Sequence, residues 1–345
     1  MIDLFEQKNE YTVGVRLMDG SVRCIEETVK SISWGGSRDT AARYMKFSCQ
    51  AHKEMNDFMP GMYCVLHNID DEETELFGGV ITKRSKKSAN GDISYDAYDC
   101  RWYLTKNKHD KIYRNMTATE IILDMFNAYG IPYGELVDTG AKFKKIHIVG
   151  KTLWDTLLIV LTETTKLTGI KYTTKVKNGK ILLVEKKTQI KKWVIEQGVN
   201  LLDATYEDSI ENMYTQVVVS GKDKNSKPIT ATAKNEGLQK QFGVMQEYIT
   251  QSEEATQNEL NAIAAQKLRE LATIGTSGSI TTIGINGVEA GDAIYVIDEG
   301  TGMVGGFYVE SDDHKLENRH HTMQLNLSWS DEVAMLEYEP PKEDD

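Results

Sequence analysis

Strict alternation of apolar and polar side chains restricts the fold of this chain more than any other feature. His321, Met323, Leu325, Leu327 and Trp329 alternate with Thr322, Gln324, Asn326 and Ser328. Successive side chains of a strand leave on opposite faces, so such a run offers one face to a core and one to water. The same period recurs near the N-terminus. Val13, Val15 and Leu17 alternate up to the turn Met18-Asp19-Gly20-Ser21, Met45, Phe47, Cys49 and Ala51 alternate again, and Pro60-Gly61 precedes the apolar run Met62 to Leu66. Gly78 to Lys86 and Ile93 to Cys100 flank Asn90-Gly91, a dipeptide suited to a tight hairpin turn. Short strands with closely spaced turns predict a small antiparallel barrel or sandwich up to about Arg101.

After Arg114 the period changes. Thr117-Ala118-Thr119-Glu120 fits a capping box, Ile121, Ile122, Met125, Phe126 and Tyr129 recur at helical spacing, and Gly130 with Pro132 marks the stop. A second helix runs from Leu153 to near Gly169, and Ile170 to Val176 and Lys180 to Glu185 bracket Asn178-Gly179 as a hairpin. Strands return from about Trp193, with Val217-Val218-Val219 as a buried strand. A helix capped by Thr256 and Glu259 then carries the stripe Leu260, Ile263, Ala264, Leu268 and Leu271. The resulting plan is mainly β with an α+β segment. It has a β domain over 1–112, an α+β middle domain over 113–192, a second β domain over 193–336 with a helical insertion near 252–274, and a solvated acidic tail over 337–345.

Composition narrows the functional classes. The 345 residues carry 52 Asp+Glu against 40 Lys+Arg, a net charge of −12, which argues against a protein built to grip phosphate backbones. No window approaches the ~18 apolar residues of a spanning helix, and MIDLFEQKNEYTVGV lacks a signal-peptide pattern, so synthesis in the cytoplasm and no membrane insertion are expected. Cys24, Cys49, Cys64 and Cys100 show no CxxC pair and read as free, mostly buried thiols.

Specific catalytic signals are absent from the sequence. It contains no phosphate-binding loop, no GxGxxG after a strand, no HExxH and no GxSxG elbow. His314, His320 and His321 with Asp312 and Asp313 are the one local cluster that suggests a metal. His320 and His321 leave a strand on opposite faces and do not converge on an ion, so His321 reads as the start of the core-facing row or as a satisfied imidazole at the strand end. The basic runs Lys83 to Lys87 and Lys186, Lys187, Lys191, Lys192 lack interleaved aromatics and read as solvated strand ends. No catalytic residue, cofactor site or metal site is assigned.

The stretch Ile32-Ser33-Trp34-Gly35-Gly36-Ser37-Arg38-Asp39-Thr40-Ala41-Ala42-Arg43-Tyr44-Met45-Lys46-Phe47 resembles the opening of XkdQ/YqbQ-type phage tail hub proteins. Asp99-Cys100-Arg101-Trp102-Tyr103-Leu104, Thr119-Glu120-Ile121-Ile122, Gly287-Val288-Glu289-Ala290-Gly291-Asp292, Gly306-Phe307-Tyr308-Val309 and His321-Thr322-Met323-Gln324-Leu325 follow in the order of that family. The resemblance spans nearly the whole chain and no LysM or peptidase module is visible. It implies two tube-type antiparallel β-barrel domains separated by the α+β region. It also implies a non-enzymatic baseplate hub of a contractile phage tail or tailocin, with VgrG-like tube domains.

Such a hub is a homotrimer whose barrels continue the sixfold tail tube above a threefold spike. The implied partners are the central spike protein, the tail tube or tube-initiator protein, LysM-type and other baseplate proteins, and the tape measure protein in the lumen, and the implied location is the virion baseplate. Subunit contacts are expected at Trp34, Gly35, Gly36 and Arg38 and at Phe307, Tyr308 and Val309, where glycines and aromatics suit close packing. Two other classes compete. A baseplate-associated cell-wall hydrolase needs a cleft with paired carboxylates of perturbed pKa, and a carbohydrate-binding adhesion module needs an exposed aromatic platform. The five Trp fall mostly in apolar periodic contexts that favour burial instead.

Overall fold

In the computed structural model, residues 11–25, 29–50, 58–68, 71–88, 91–186 and 190–341 are described. The alternation at the N-terminus folds as expected. Strands Tyr11–Arg16 and Val22–Ile25 pair around Gly20, whose φ of 86° closes the turn. Tyr11–Arg16 also pairs with Tyr63–Asn68, which pairs with Asp71–Lys86, then Asp92–Tyr98, Tyr44–Gln50 and Val29–Ser37, all antiparallel. Inward positions Val13, Val15, Met45, Phe47 and Cys49 are at most 2% exposed and share one core. Of the Asn90-Gly91 turn, Asn90 lies outside the described residues, as does Ala51, but the flanking strands pair with Lys86 opposite Ile93.

The middle segment forms its own core. Helix Ala118–Tyr129 begins at the Thr117/Glu120 capping box and ends at Gly130 in the left-handed conformation. Helix Leu153–Thr168 is framed the same way, by Thr152 with Asp155 and by Gly169, a box the sequence reading did not name. Strands Tyr172–Lys177 and Lys180–Glu185 close over Asn178 and Gly179, both at positive φ as that hairpin turn requires. Ile121, Met125, Phe126, Leu153 and Val160 are fully buried between these elements.

The second β core takes Ile294, Val296, Phe307, Val309, Met323, Leu325 and Leu327 from strands Ala293–Asp298, Met303–Glu317 and His320–Ser328. Ile190–Glu196 runs parallel to Ala293–Asp298. Buried Asn200 stitches that strand's end to the sheet: its side chain accepts from Glu196 N at 2.8 Å and donates to Val194 O at 3.0 Å, and its carbonyl accepts from Ile283 N at 3.0 Å.

Two separate barrels were expected, and the strands are arranged differently. Pairing runs without a break through both β cores as one sheet of 13 strands, and no closed barrel forms among the described residues. The reason lies in Met303–Glu317, 15 residues and so roughly 50 Å long. Its first half pairs with Ala293–Asp298 and its second half with Val29–Ser37.

Residues Thr205–Gly278 make a second compact unit. In it Gln216–Lys222 lies between Pro228–Lys234, antiparallel, and Gln246–Glu254, parallel. Helix Gln257–Leu271, capped by Thr256 and Glu259, lays Leu260 and Ala264 over Val217, Val219 and Ala231. The unit therefore exceeds the helical insertion expected near 252–274, adding a sheet and a short helix Glu236–Phe242 capped by Asn235.

Three surface expectations are corrected. The tail from 337 is anchored at its start: Glu337 pairs with Lys166, and the Tyr338 hydroxyl accepts from His147 N at 2.9 Å, while 342–345 lie outside the described residues. Lys186 is not a solvated strand end, for its ammonium donates to Gly291 O at 2.6 Å and pairs with Asp331 at 3.1 Å; Lys187 and the side chains of Lys191 and Lys192 lie outside the described residues. Among the tryptophans Trp34 is 3% exposed, Trp102 and Trp154 are half-buried and Trp329 is 44% exposed; the side chain of Trp193 lies outside the described residues.

Because Leu260 is fully buried in the small core of the 205–278 unit, Leu260→Ala should cost about 2 to 5 kcal/mol there. Hydrogen exchange is expected to show protection lost in Gln216–Lys222 and retained in helix Leu153–Thr168.

Candidate functional site at the junction of the two β cores

The Trp34-Gly35-Gly36 stretch lies where the two β cores meet. In the register of Val29–Ser37 against Met303–Glu317, Trp34 opposes His314, Gly35 opposes Asp313 and Gly36 opposes Asp312. The glycines permit this approach. A Cβ on Gly35 would stand 2.1 Å from the Asp312 carbonyl oxygen, and one on Gly36 2.8 Å from Arg43 Cγ.

Into the space left by Gly36 runs Arg43. Its guanidinium donates Nη1 to Asp312 Oδ1 at 2.8 Å and Nη2 to Oδ2 at 2.5 Å, and the Asp312 side chain is wholly buried. Ala290 N adds a third donor to Oδ1 at 2.7 Å. Burial alone works against the charge of Arg43, but Asp312, with Glu289 and Asp99, overrides it and holds the guanidinium proton more firmly than water does. The network continues through Asp99, which accepts from Arg43 N at 3.2 Å and from Arg101 Nη2 at 2.6 Å, while Arg101 Nη1 donates to Thr174 O at 3.2 Å in strand Tyr172–Lys177. At the strand end Arg38 pairs with Glu310 at 2.6 Å, and its backbone N donates to Glu310 O at 2.8 Å.

On the same face of the sheet, beside the ion pair, three rings and a phenol are packed together, with His314 Nε2 3.6 Å from Asp312 Oδ2. Trp34 stacks on His314 with centroids 4.9 Å apart and planes 9° from parallel. His314 Nδ1 faces His321 Nε2 at 3.0 Å, His314 Nε2 faces Val288 O at 2.9 Å, and His321 Nδ1 faces the Tyr11 hydroxyl at 2.9 Å. Burial lowers His321 to about 3, with His314 adding to the effect. Burial also lowers His314, against the pull of Asp312. Both imidazoles are therefore neutral at pH 7. His321 sits on the core-facing row as a satisfied imidazole, and His320 is exposed.

The residues expected at a subunit contact lie along Met303–Glu317 and the strand beside it: Trp34, Gly35 and Gly36 face its second half, whereas Phe307, Tyr308 and Val309 belong to its first half, beside Ala293–Asp298 and His320–Ser328. Trp34, Phe307 and Val309 are buried, Gly35 and Gly36 face the partner strand, and Arg38 and Tyr308 are half-exposed. Arg43, Asp312, His314 and Tyr11 complete the junction without having been singled out together, because no short-range spacing links residues 269 positions apart.

A cavity of about 420 Å³ adjoins the junction, lined by Arg38, Arg43, Glu75, Asp99, Arg101 and Trp154 among others. Its arginines are paired with Glu310, Asp312 and Asp99. Glu75 is the carboxylate there raised above its ordinary range, by burial, with His67 and the backbone of Asn178 opposing. Among the described residues no group of three or more His, Cys, Asp or Glu converges as a metal site.

This architecture is that of phage tail proteins. Over 92% of its length the chain superposes on 98% of the 43 kDa tail protein of prophage MuSo2 from Shewanella oneidensis, at a TM-score of 0.69 and 14% identity. The E. coli c3393 protein, a type VI secretion component with structural similarity to the T4 tail proteins gp27 and gp5, matches at a TM-score of 0.54 and 10% identity, over 96% of this chain and 79% of that one. The chain belongs to the YQBQ-like family, whose model matches residues 32–328. It is 29% identical over 255 residues to the phage-like element PBSX protein XkdQ of Bacillus subtilis, covering 73% of this chain and 78% of the relative.

Two substitutions test the junction. Arg43→Leu alone strands a buried carboxylate and should cost about 3 to 5 kcal/mol, whereas adding Asp312→Leu should recover much of that loss in a urea double-mutant cycle. Gly35→Ala should cost more than about 3 kcal/mol or prevent folding, while Gly306→Ala, with open space at its Cβ, should stay within about 1 kcal/mol of the native chain.

Proposed function

We propose that this chain is the structural hub of a contractile phage tail or phage-tail-like particle, acting by assembly and force transmission rather than by turnover. The observation that carries the reading is the pair of β cores locked into one sheet by the Arg43–Asp312 junction. Two tube-type units fixed in mutual register are what a subunit needs if each chain is to supply two of six positions around a tube. Membership of a family that includes XkdQ supports it.

In this reading three chains close into a ring that adapts the sixfold tail tube to a threefold spike. The central spike, the tube or tube-initiator protein, the tape measure protein and LysM-type baseplate proteins are its neighbours in the virion. Subunit contacts then fall beside Trp34 to Arg38 and Phe307 to Val309, chiefly through half-exposed Arg38 and Tyr308. Ring closure also covers open strand edges that otherwise invite aggregation. The net charge of −12 suits a conduit wall that repels DNA rather than retaining it.

The purified chain, alone or with spike and tube proteins, should show a mass of 3 × 38.9 = 116.7 kDa and appear in electron micrographs as a ring with a central hole. A chain that stays monomeric with those partners present overturns the hub reading. Digestion of cell walls by the purified chain would point instead to hydrolysis at the cavity containing Glu75.

A further inference from the structure

The loop 284–292, between Gly275–Ile283 and Ala293–Asp298, is held onto the junction at its middle by His314 and along its length by backbone and carboxylate bonds. Gly284 N donates to His321 O at 2.8 Å, and a Cβ on Gly284 would lie 2.2 Å from the His321 ring, so the loop backbone rests directly on the imidazole. Val288 is 1% exposed and its carbonyl is held by His314 Nε2 at 2.9 Å. Farther along, Ala290 N bonds Asp312 Oδ1 at 2.7 Å and Gly291 N bonds Val309 O at 2.8 Å.

The direction of each bond follows from the Val288 carbonyl, which only accepts. His314 Nε2 must carry the proton, so in a neutral ring its Nδ1 accepts, and His321 Nε2 donates to it. His321 Nδ1 then accepts from the Tyr11 hydroxyl. In the structure the Tyr11 hydroxyl instead faces Asn286 Oδ1 at 2.8 Å and donates to it; with the Tyr11 proton on His321, the neutral arrangement requires the Asn286 amide turned so that its NH2 faces the phenol. Both imidazoles are thereby fully used in the neutral form. One added proton, on His321 Nδ1, makes the Tyr11 oxygen an acceptor and sends its hydroxyl proton to Asn286 Oδ1, at the cost of placing a charge on a buried ring. A second places two N–H groups against each other across the 3.0 Å contact between the rings.

We propose that the Tyr11–His321–His314 chain is a proton-operated latch on loop 284–292, closed while both rings are neutral and opened by proton uptake as the pH falls below neutrality. The charged groups facing it are few. His314 Nε2 lies 3.6 Å from Asp312 Oδ2, and the charge of Asp312 is already held by Arg43, with Glu289 acting from the loop itself. His321 faces His314 and the Tyr11 phenol. Burial makes both rings harder to protonate while the loop is closed, most strongly at His321 and, against the pull of Asp312, at His314. A depressed folded-state value means that stability is present above the ordinary histidine pKa and is lost as pH falls below it. Opening exposes the rings, each of which then takes a proton with the ordinary value of about 6.5.

Hydrogen exchange of the full-length chain at pH 7 and pH 5, corrected for intrinsic rates, tests this. With open-state values of about 6.5, opening of 284–292 should increase about 25-fold if one ring titrates and about 600-fold if both do, with little change in helix Ala118–Tyr129. His321→Phe, which keeps the ring volume and removes one site, should reduce the ratio to about 25-fold or less. Histidine 15N spectra of the native chain at pH 7 should show both rings neutral with the proton on Nε2. Equal loss of protection in 284–292 and in helix Ala118–Tyr129, an unchanged loop, or an imidazolium or Nδ1–H form at pH 7 would each overturn the latch.

Discussion

The rest of the structure depends on one strand pairing, Ser31–Ser37 against Ser311–Glu317, and on the buried ion pair that crosses it. A charge taken from water is tolerated only when a partner and further hydrogen bonds replace its hydration. Asp312 meets that condition with two guanidinium bonds and one backbone donor, from elements that are otherwise unrelated in sequence. Removing any of the three leaves the others buried and incomplete, so the geometry is specified by the cost of failing to form it. Hydrophobic burial alone allows many sliding registers between two sheets, whereas a bidentate pair allows one.

From that joint the remaining contacts follow in layers. Asp99 and Arg101 extend the network to Thr174, coupling the α+β core to the β sheet. The C-terminal segment returns over the same core, with Leu336 N donating to Thr162 Oγ1 at 3.0 Å and Lys171 reaching Asp331 O at 2.6 Å. Lys171 is half-exposed and its tie contributes little by itself, while Asp99 and Thr162 are buried; all of these ties join rigid elements and act in parallel. The 205–278 unit keeps its own small core and does not draw on the junction for its hydrophobic burial.

Local features were legible in the residues wherever a single element decides them. The capping boxes at Thr117 and Thr256, the hairpin at Asn178-Gly179 and the alternation from His321 to Leu327 formed as read, because neighbours within about four positions set those geometries, whereas Trp329, read onto the same row, falls past the strand end and is 44% exposed. The expectations that changed were those requiring distant partners. Lys186 reads as one more basic residue at a strand end until Gly291 and Asp331 close around it. The residues from 337 read as a solvated acidic tail until Tyr338 packs against the middle core. Trp34 to Arg38 reads as a rim motif because glycine beside an aromatic signals close packing without saying against what.

By itself the sequence determined the class of fold, the number and kind of most elements, and the family, because periodicity, caps and ordered motifs are encoded along the chain. Only the tertiary structure decided that the two β cores share one continuous sheet, that Arg43 finds Asp312, and that His314 and His321 form a directional pair against Tyr11. Those features depend on contacts made across 269 to 310 positions of the chain. Their energy comes from burial and from hydrogen-bond direction, and neither exists until the chain has folded.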